Sequence, residues 1–113
     1  MSGGMIPVQP EGWKRPKGYA NGMLAPAGGR VLFVAGQIGW DPEERLVPGG
    51  FAAQFAQALE NVLAVVRAAG GGPGHLGRLT IYVADKAEYL AAAKEVGEAY
   101  RRVIGRHYPA MSL

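Results

Sequence analysis

The sequence has no cysteine. That excludes disulfides, thiolate metal sites and cysteine nucleophiles, and it accords with a reducing, cytoplasmic setting. Serine is almost as scarce: Ser2 and Ser112 stand near the two ends, and no Ser-His-Asp arrangement is recognisable. His75 and His107 are expected at loop positions with no ligand spacing around them, so structural roles are expected and a metal is not. Long apolar runs are also missing. Val31-Leu32-Phe33-Val34-Ala35 is short against the ~20 residues a membrane-spanning helix needs, and no membrane partner is expected. The opening Met1-Ser2-Gly3-Gly4-Met5 has neither basic residues nor an apolar segment, so no secretory leader is expected.

Charge is modest. The 12 basic and 9 acidic residues leave a net +3. The basic residues fall mainly in two places, Lys14, Arg15 and Lys17, then Arg101, Arg102 and Arg106. Solubility and helix-end charge explain that distribution, and nucleic acid is not an expected partner. What the chain does have is 49% hydrophobic residues over 113 positions, with 18 glycines and 8 prolines. This is one globular domain, residues 1–113, with its glycine and proline clustered in turns.

Along the chain, residues 6–22 read as an irregular opening with room for one short strand. Pro26-Ala27-Gly28-Gly29 marks a turn between strands. Residues 31–35 are apolar at every position, as expected of a strand buried on both faces. Gly36-Gln37-Ile38-Gly39-Trp40 continues it with glycines that suit a bulge or a close backbone approach. Asp41-Pro42-Glu43-Glu44 reads as a charged turn, and residues 45–47 can pair back. Phe55, Leu59, Val62, Leu63 and Val66 then make one helical stripe, ended by the glycines at 70–74.

Residues 79–83 alternate as a strand, and Asp85 with Glu88 has capping-box spacing. Leu90, Ala93, Gly97, Tyr100 and Ile104 share one face of a second helix, and residues 107–113 lead towards another strand. Strand, helix, strand in succession predicts a right-handed crossover with both helices on one side of a sheet. The other sheet face has no helix to cover it, which argues for oligomerisation. The glycines at 70–74 are not a phosphate loop, since they follow a helix and lack the lysine-hydroxyl pair. Tyr82, Tyr89, Tyr100 and Tyr108 read as packing groups. The bare backbone at Gly36-Gln37 is the one place where a ligand could approach closely.

In order along the chain, Gly18-Tyr19-Ala20-Asn21, Val34-Ala35-Gly36-Gln37-Ile38, Asp41-Pro42, Gln54 with Ala58-Leu59-Glu60-Asn61-Val62, Ala68-Ala69-Gly70, residues 79–85 and Tyr108-Pro109-Ala110-Met111-Ser112 resemble the YjgF/RidA (L-PSP) family. The likeness runs from about Gly18 to Leu113. It implies an α+β, chorismate-mutase-like subunit with two helices on one face of its sheet. It also implies a cytoplasmic homotrimer with a cleft at each subunit interface. The implied ligand-binding residues are Tyr19, Ala35, Gly36, Gln37 and Met111, with a small metabolite as ligand and no cofactor.

In active members the position of Met111 is an arginine that grips the carboxylate of a 2-imino or 2-amino-acrylate intermediate. A glutamate on a strand beyond this position helps activate water to release ammonia. Here a thioether replaces the arginine and cannot make a bidentate pair with a carboxylate. The family's final strands, with that glutamate, are expected to be missing from residues 1–113. Trp40-Asp41-Pro42 and Pro109-Ala110-Met111-Ser112 resemble a branch of the family for which imine hydrolysis is not to be assumed.

Three functions follow from the resemblance. The first is a trimer that binds or hydrolyses an enamine or imine metabolite, like a 2-iminobutanoate/2-iminopropanoate deaminase, with no catalytic residue assigned. The second is a non-catalytic ligand-binding or interaction trimer, and the third the ribonuclease or translation-inhibitor role of some relatives. Methionine at 111 shifts weight towards the second, and the scattered charge argues against the third. Met111 and Ala35 make the anchor end of the cleft less polar, which suits a neutral, partly apolar ligand. Lys94 could supply a charge only if its side chain turned inward instead of reaching solvent.

Overall fold

Residues spaced for a helix need a surface to bury their stripe against, and here two helices supply it for each other. The computed structural model describes residues 4–112. In chain order it contains β1 (Ile6–Val8), β2 (Gly22–Leu24), α1 (Phe51–Ala68), a single 3-10 turn (Pro73–His75), β3 (Arg78–Thr80), α2 (Lys86–Ala91), α3 (Ala93–Val103) and β4 (Ala110–Ser112). The architecture is α+β, as the sequence predicts.

Helix α1 buries Ala56, Leu59, Leu63 and Val66, three or four residues apart as a single helical face requires. Gly70, at φ 90°, takes the left-handed conformation that stops the helix. Helix α3 answers with Val96, Ala99 and Tyr100. Leu59, Leu63, Val66, Leu76, Tyr100 and Ile104 make the buried cluster, and Leu79 of β3 and Met111 of β4 pack against it. Both helices therefore lie on one face of the β3–β4 pair.

β3 and β4 are parallel, with Arg78 opposite Ala110, Leu79 opposite Met111 and Thr80 opposite Ser112. Parallel neighbours need a long crossover, and α2 and α3 provide it. Asp85 caps α2 as expected, its carboxylate accepting from the Ala87 and Glu88 amides at 3.0 and 3.3 Å. The single second helix predicted from sequence is interrupted at Ala92. Its first part buries no residue, while the second carries the core face.

Two expectations about strands are corrected and one holds. β1 and β2 form a separate antiparallel pair, so the strands make two small sheets instead of one. Residues 45–47 do pair back as expected, through the antiparallel Trp40–Leu46 bridge, with the Asp41 amide donating to the Arg45 carbonyl at 2.8 Å and the Val47 amide to the Gly39 carbonyl at 2.9 Å. Residues 31–35 form no strand: Val31 is 77% and Phe33 90% exposed, although Val34 reaches the core. Apolar β-branched composition supplies only a preference, whereas a strand needs a neighbouring backbone to pair with. None pairs with this segment among the described residues.

Tyr100 ties the helical core to the loop before β4. Its hydroxyl donates to the His107 carbonyl at 2.6 Å, and its ring stacks on Tyr108 with centroids 5.3 Å apart. Burial, and secondarily the nearby Tyr108 phenol, raise its pKa well above the ordinary 10.0. The native state keeps this proton where the unfolded chain releases it. Its contribution is therefore full below about pH 10 and is lost as pH rises further. Tyr100→Phe should cost about 1 kcal/mol near neutrality through the lost hydrogen bond. It should also flatten the alkaline fall in stability, as read from urea unfolding on both sides of about pH 10; an unchanged alkaline slope would contradict the assignment.

Candidate functional site

The irregular opening segment is held by side-chain amides. Gln9 donates to the Trp13 and Lys14 carbonyls at 2.9 and 3.0 Å, and its own oxygen accepts from Asn21 at 3.2 Å. This ring of contacts closes the loop between β1 and β2 and presents Tyr19, which is exposed. The next residue, Ala20, donates its amide to Pro109 at 2.9 Å and bridges in parallel to Ala110. Tyr19 thus sits beside the strand that carries Met111. The Met111 side chain is half-buried against the apolar cluster, opposite Leu79.

Ala35, Gly36 and Gln37 are positioned from a different direction. Gln37 donates from Nε2 to the Ala35 carbonyl at 3.1 Å. Two residues on, Gly39 is pressed against α1, where a Cβ would lie 2.5 Å from Gln54 Cβ and 2.6 Å from its Cα. No side chain fits there, which is the close backbone approach the sequence suggested. Asn61 of α1 donates both amide protons, to the Ile38 carbonyl at 3.1 Å and the Trp40 carbonyl at 2.9 Å. Its oxygen accepts from Gln57 one turn earlier at 3.0 Å. An asparagine amide has two donors, and both are committed to this one loop.

Beyond it, Asp41 holds a charged turn. It accepts from the Glu43 and Arg45 amides at 2.9 and 3.1 Å and meets Arg45 Nε at 3.3 Å. Its carboxylate is therefore occupied by the turn, as the sequence suggested. Gly36, Gln37, Trp40, Asp41, Glu44 and Asn61 line an open cavity of about 430 Å3.

The structure places the five predicted residues in two groups. Tyr19 lies next to the Ala20–Ala110 bridge and Met111 on β4 itself, whereas Ala35, Gly36 and Gln37 lie on the loop leading to the Asn61 clamp. No hydrogen bond joins the two groups among the described residues. Asn61 itself was visible in the sequence only as part of a helical motif. Its spacing from Gln57 hinted at an amide pair, but nothing local could reveal carbonyl partners more than twenty residues upstream. Both histidines have backbone partners: Gly72 donates to His75 Nδ1 at 3.0 Å, and His107 Nε2 lies 2.8 Å from the Leu76 oxygen. The described residues contain no cluster of three or more potential metal ligands, and none of their helices is long and apolar enough to cross a membrane. Lys94 is exposed.

A sequence profile described as endoribonuclease L-PSP matches residues 14–113. The chain belongs to this family, the YjgF/RidA proteins, as its motifs indicate. It is 37% identical to the RutC family protein UK114 of Drosophila melanogaster over 84 residues, 74% of this chain and 58% of that protein. It is 34% identical to the 2-iminobutanoate/2-iminopropanoate deaminase of Escherichia coli K12 over 84 residues, 74% of this chain and 65% of the enzyme. The chain thus spans less than two thirds of the length of these curated relatives.

Among solved structures, a Rid family protein of Yersinia pestis described as of unknown function superposes with a TM-score of 0.73 at 29% identity. That match covers 97% of this chain and 84% of the other. RidA from an Antarctic Psychrobacter gives 0.60 at 25% identity, over 94% and 76%.

The loop clamp yields a direct test. Asn61→Ala removes two carbonyl partners and one amide partner and should lower stability by about 1–3 kcal/mol. Gly39→Ala, which drives a methyl into Gln54, should be destabilising too. Because both changes act on one loop–helix contact, the double variant should lose less than the sum. Strict additivity in urea unfolding would show that the two contacts are independent.

Proposed function

We propose that this protein binds a small metabolite in clefts completed by packing three copies together, and that it hydrolyses 2-imino acids poorly. The deaminase names of several relatives supply the general chemistry. In that reaction water adds to the imine carbon and ammonia leaves, giving a 2-oxo acid. The step needs a held carboxylate and a positioned water. Met111 carries the second half of the proposal: it sits in register with Leu79 and packs into apolar surroundings, offering no charge to a carboxylate.

The assembly is favoured by the apolar groups left in the open. Val31, Leu32, Phe33, Ile38 and Tyr82 are all exposed, Tyr82 by 94%. Val31, Leu32 and Phe33 are consecutive, and a run of exposed large apolar side chains is uncommon on a monomer and favours cover by another chain. The two groups of site residues, separate within one chain, would be completed by a neighbour. A cleft with Met111 and Ala35 at one end and the Gly36 backbone and Tyr19 hydroxyl nearby suits a ligand whose apolar part faces Met111.

Each charge-assisted hydrogen bond to a carboxylate is worth about 1.5–3 kcal/mol, or roughly 10- to 100-fold in rate if realised in the transition state. Ammonia release from 2-iminopropionate should therefore stay close to the buffer rate with this protein, and Met111→Arg should raise it if the variant keeps its fold. Clear acceleration by the unaltered protein would overturn the proposed weakness in imine hydrolysis.

A further inference from the structure

Where α1 and α3 meet they leave a recess. Glu60, Leu63, Ala64 and Arg67 of α1 and Arg102 and Val103 of α3 line an open cavity of about 430 Å3. Positions 60, 64 and 67 follow the spacing that puts side chains on one helical face. Leu63 belongs to the buried cluster and Val103 packs against it, so the floor of the recess is the apolar seam between the helices. Glu60, Arg67 and Arg102 are exposed and form its charged rim. None of the exposed apolar residues that favour assembly lines this recess.

The three charges of the rim are unspent. Among the described residues the ion pairs are those of Arg45 with Asp41 and Glu43, and Glu60, Arg67 and Arg102 take part in none. Glu60 and Arg67 stand seven residues apart, on one face but about 10 Å apart along the helix. That is beyond the three- or four-residue spacing at which opposite charges pair. Arg67 and Arg102 lie in the last turns of α1 and α3, where the helix dipole favours a cation. The dipole explains neither why both arginines line one recess nor why a carboxylate lines it with them.

We propose that the α1–α3 recess binds a free α-amino acid with an aliphatic side chain, its carboxylate held by Arg67 and Arg102 and its ammonium by Glu60. A guanidinium fork matches a carboxylate in two parallel bonds. An ionised glutamate only accepts, and an ammonium only donates. Leu63 and Val103 offer the aliphatic chain an apolar floor, as small-molecule sites do around a few placed polar groups. A ligand of one charge uses the rim less well: a bare carboxylate has Glu60 as a repulsive neighbour, and a bare amine meets two arginines. The recess shares no residue with the predicted Tyr19, Ala35, Gly36, Gln37 and Met111 set, and it needs no second copy to complete it.

L-leucine is a suitable probe, with 4-methylpentanoate as its counterpart lacking the amine and L-leucinamide as its counterpart lacking the carboxylate. Titrated into the full chain, L-leucine should shift the NMR signals of the Arg67 and Arg102 Nε–Hε groups saturably. By calorimetry the two counterparts should each bind roughly tenfold more weakly, the loss expected when charge-assisted hydrogen bonds are removed. Arg67→Gln and Arg102→Gln should each weaken L-leucine several-fold, and Arg106→Gln, at an exposed position outside the recess, should leave it unchanged. Glu60→Gln should weaken L-leucine yet strengthen 4-methylpentanoate, a reversal that a damaged fold would not produce. No saturable binding of L-leucine, or binding unaltered by both Arg67→Gln and Arg102→Gln, would overturn the site. 4-Methylpentanoate binding as tightly as L-leucine would overturn its assignment to amino acids. Ammonia release from 2-iminopropionate reports on the Met111 cleft, so failure of that proposal is distinguishable from failure of this one.

Discussion

The packing of α1 against α3 over one face of β3 and β4 is the contact on which everything else hangs. Leu63, only 1% exposed, lies at its centre, with Leu59, Val66, Tyr100 and Ile104 around it. A core this small has few interchangeable contacts. Burial of apolar side chains is its main source of stability, and loss of one large side chain from such a centre is costly. Because the helices occupy one side of the strands, the odd-numbered residues of β3 and β4, Leu79 and Met111, face that side and stay half-buried against the core. Every even-numbered one is released to the opposite face. Met111 belongs to the first set, and Arg78, Thr80 and Ser112 to the second.

Around this frame the irregular segments are fixed by amide side chains rather than by sheet ladders. Gln9 and Asn21 close the first loop and carry Tyr19 to the edge of β4. Gln57 and Asn61 draw the Ile38–Trp40 loop onto α1 and so set the Gly36-Gln37 backbone at the rim of its cavity. In both places a side chain supplies the partner that a sheet ladder would otherwise give these carbonyls.

Much of this was legible in the sequence, and the failures share one cause. The α1 stripe, the Asp85 cap and the glycine stop at 70 each depend on neighbours within one or two turns, and each is present in the structure. The family was legible too, because its motifs are short and ordered. Residues 31–35 were misjudged because a strand depends on a partner elsewhere, and their composition is the same whether or not one pairs. The Asn61 clamp and the Arg78–Ser112 contact span 21 and 34 positions respectively, and no local pattern encodes them. The site residues drawn from the family likeness, Tyr19, Ala35, Gly36, Gln37 and Met111, fall into two groups for a related reason. If the cleft is completed by a second copy, one chain read alone contains only its halves.

That dependence on a neighbouring copy is the central claim, and sedimentation equilibrium of the full chain at micromolar concentration tests it most directly. A particle of three times the 11.9 kDa chain mass, persisting on dilution through that range, is the predicted result. A stable monomer would contradict it, leaving the exposed Val31, Phe33 and Tyr82 without a covering surface and the two groups of site residues without a common cleft.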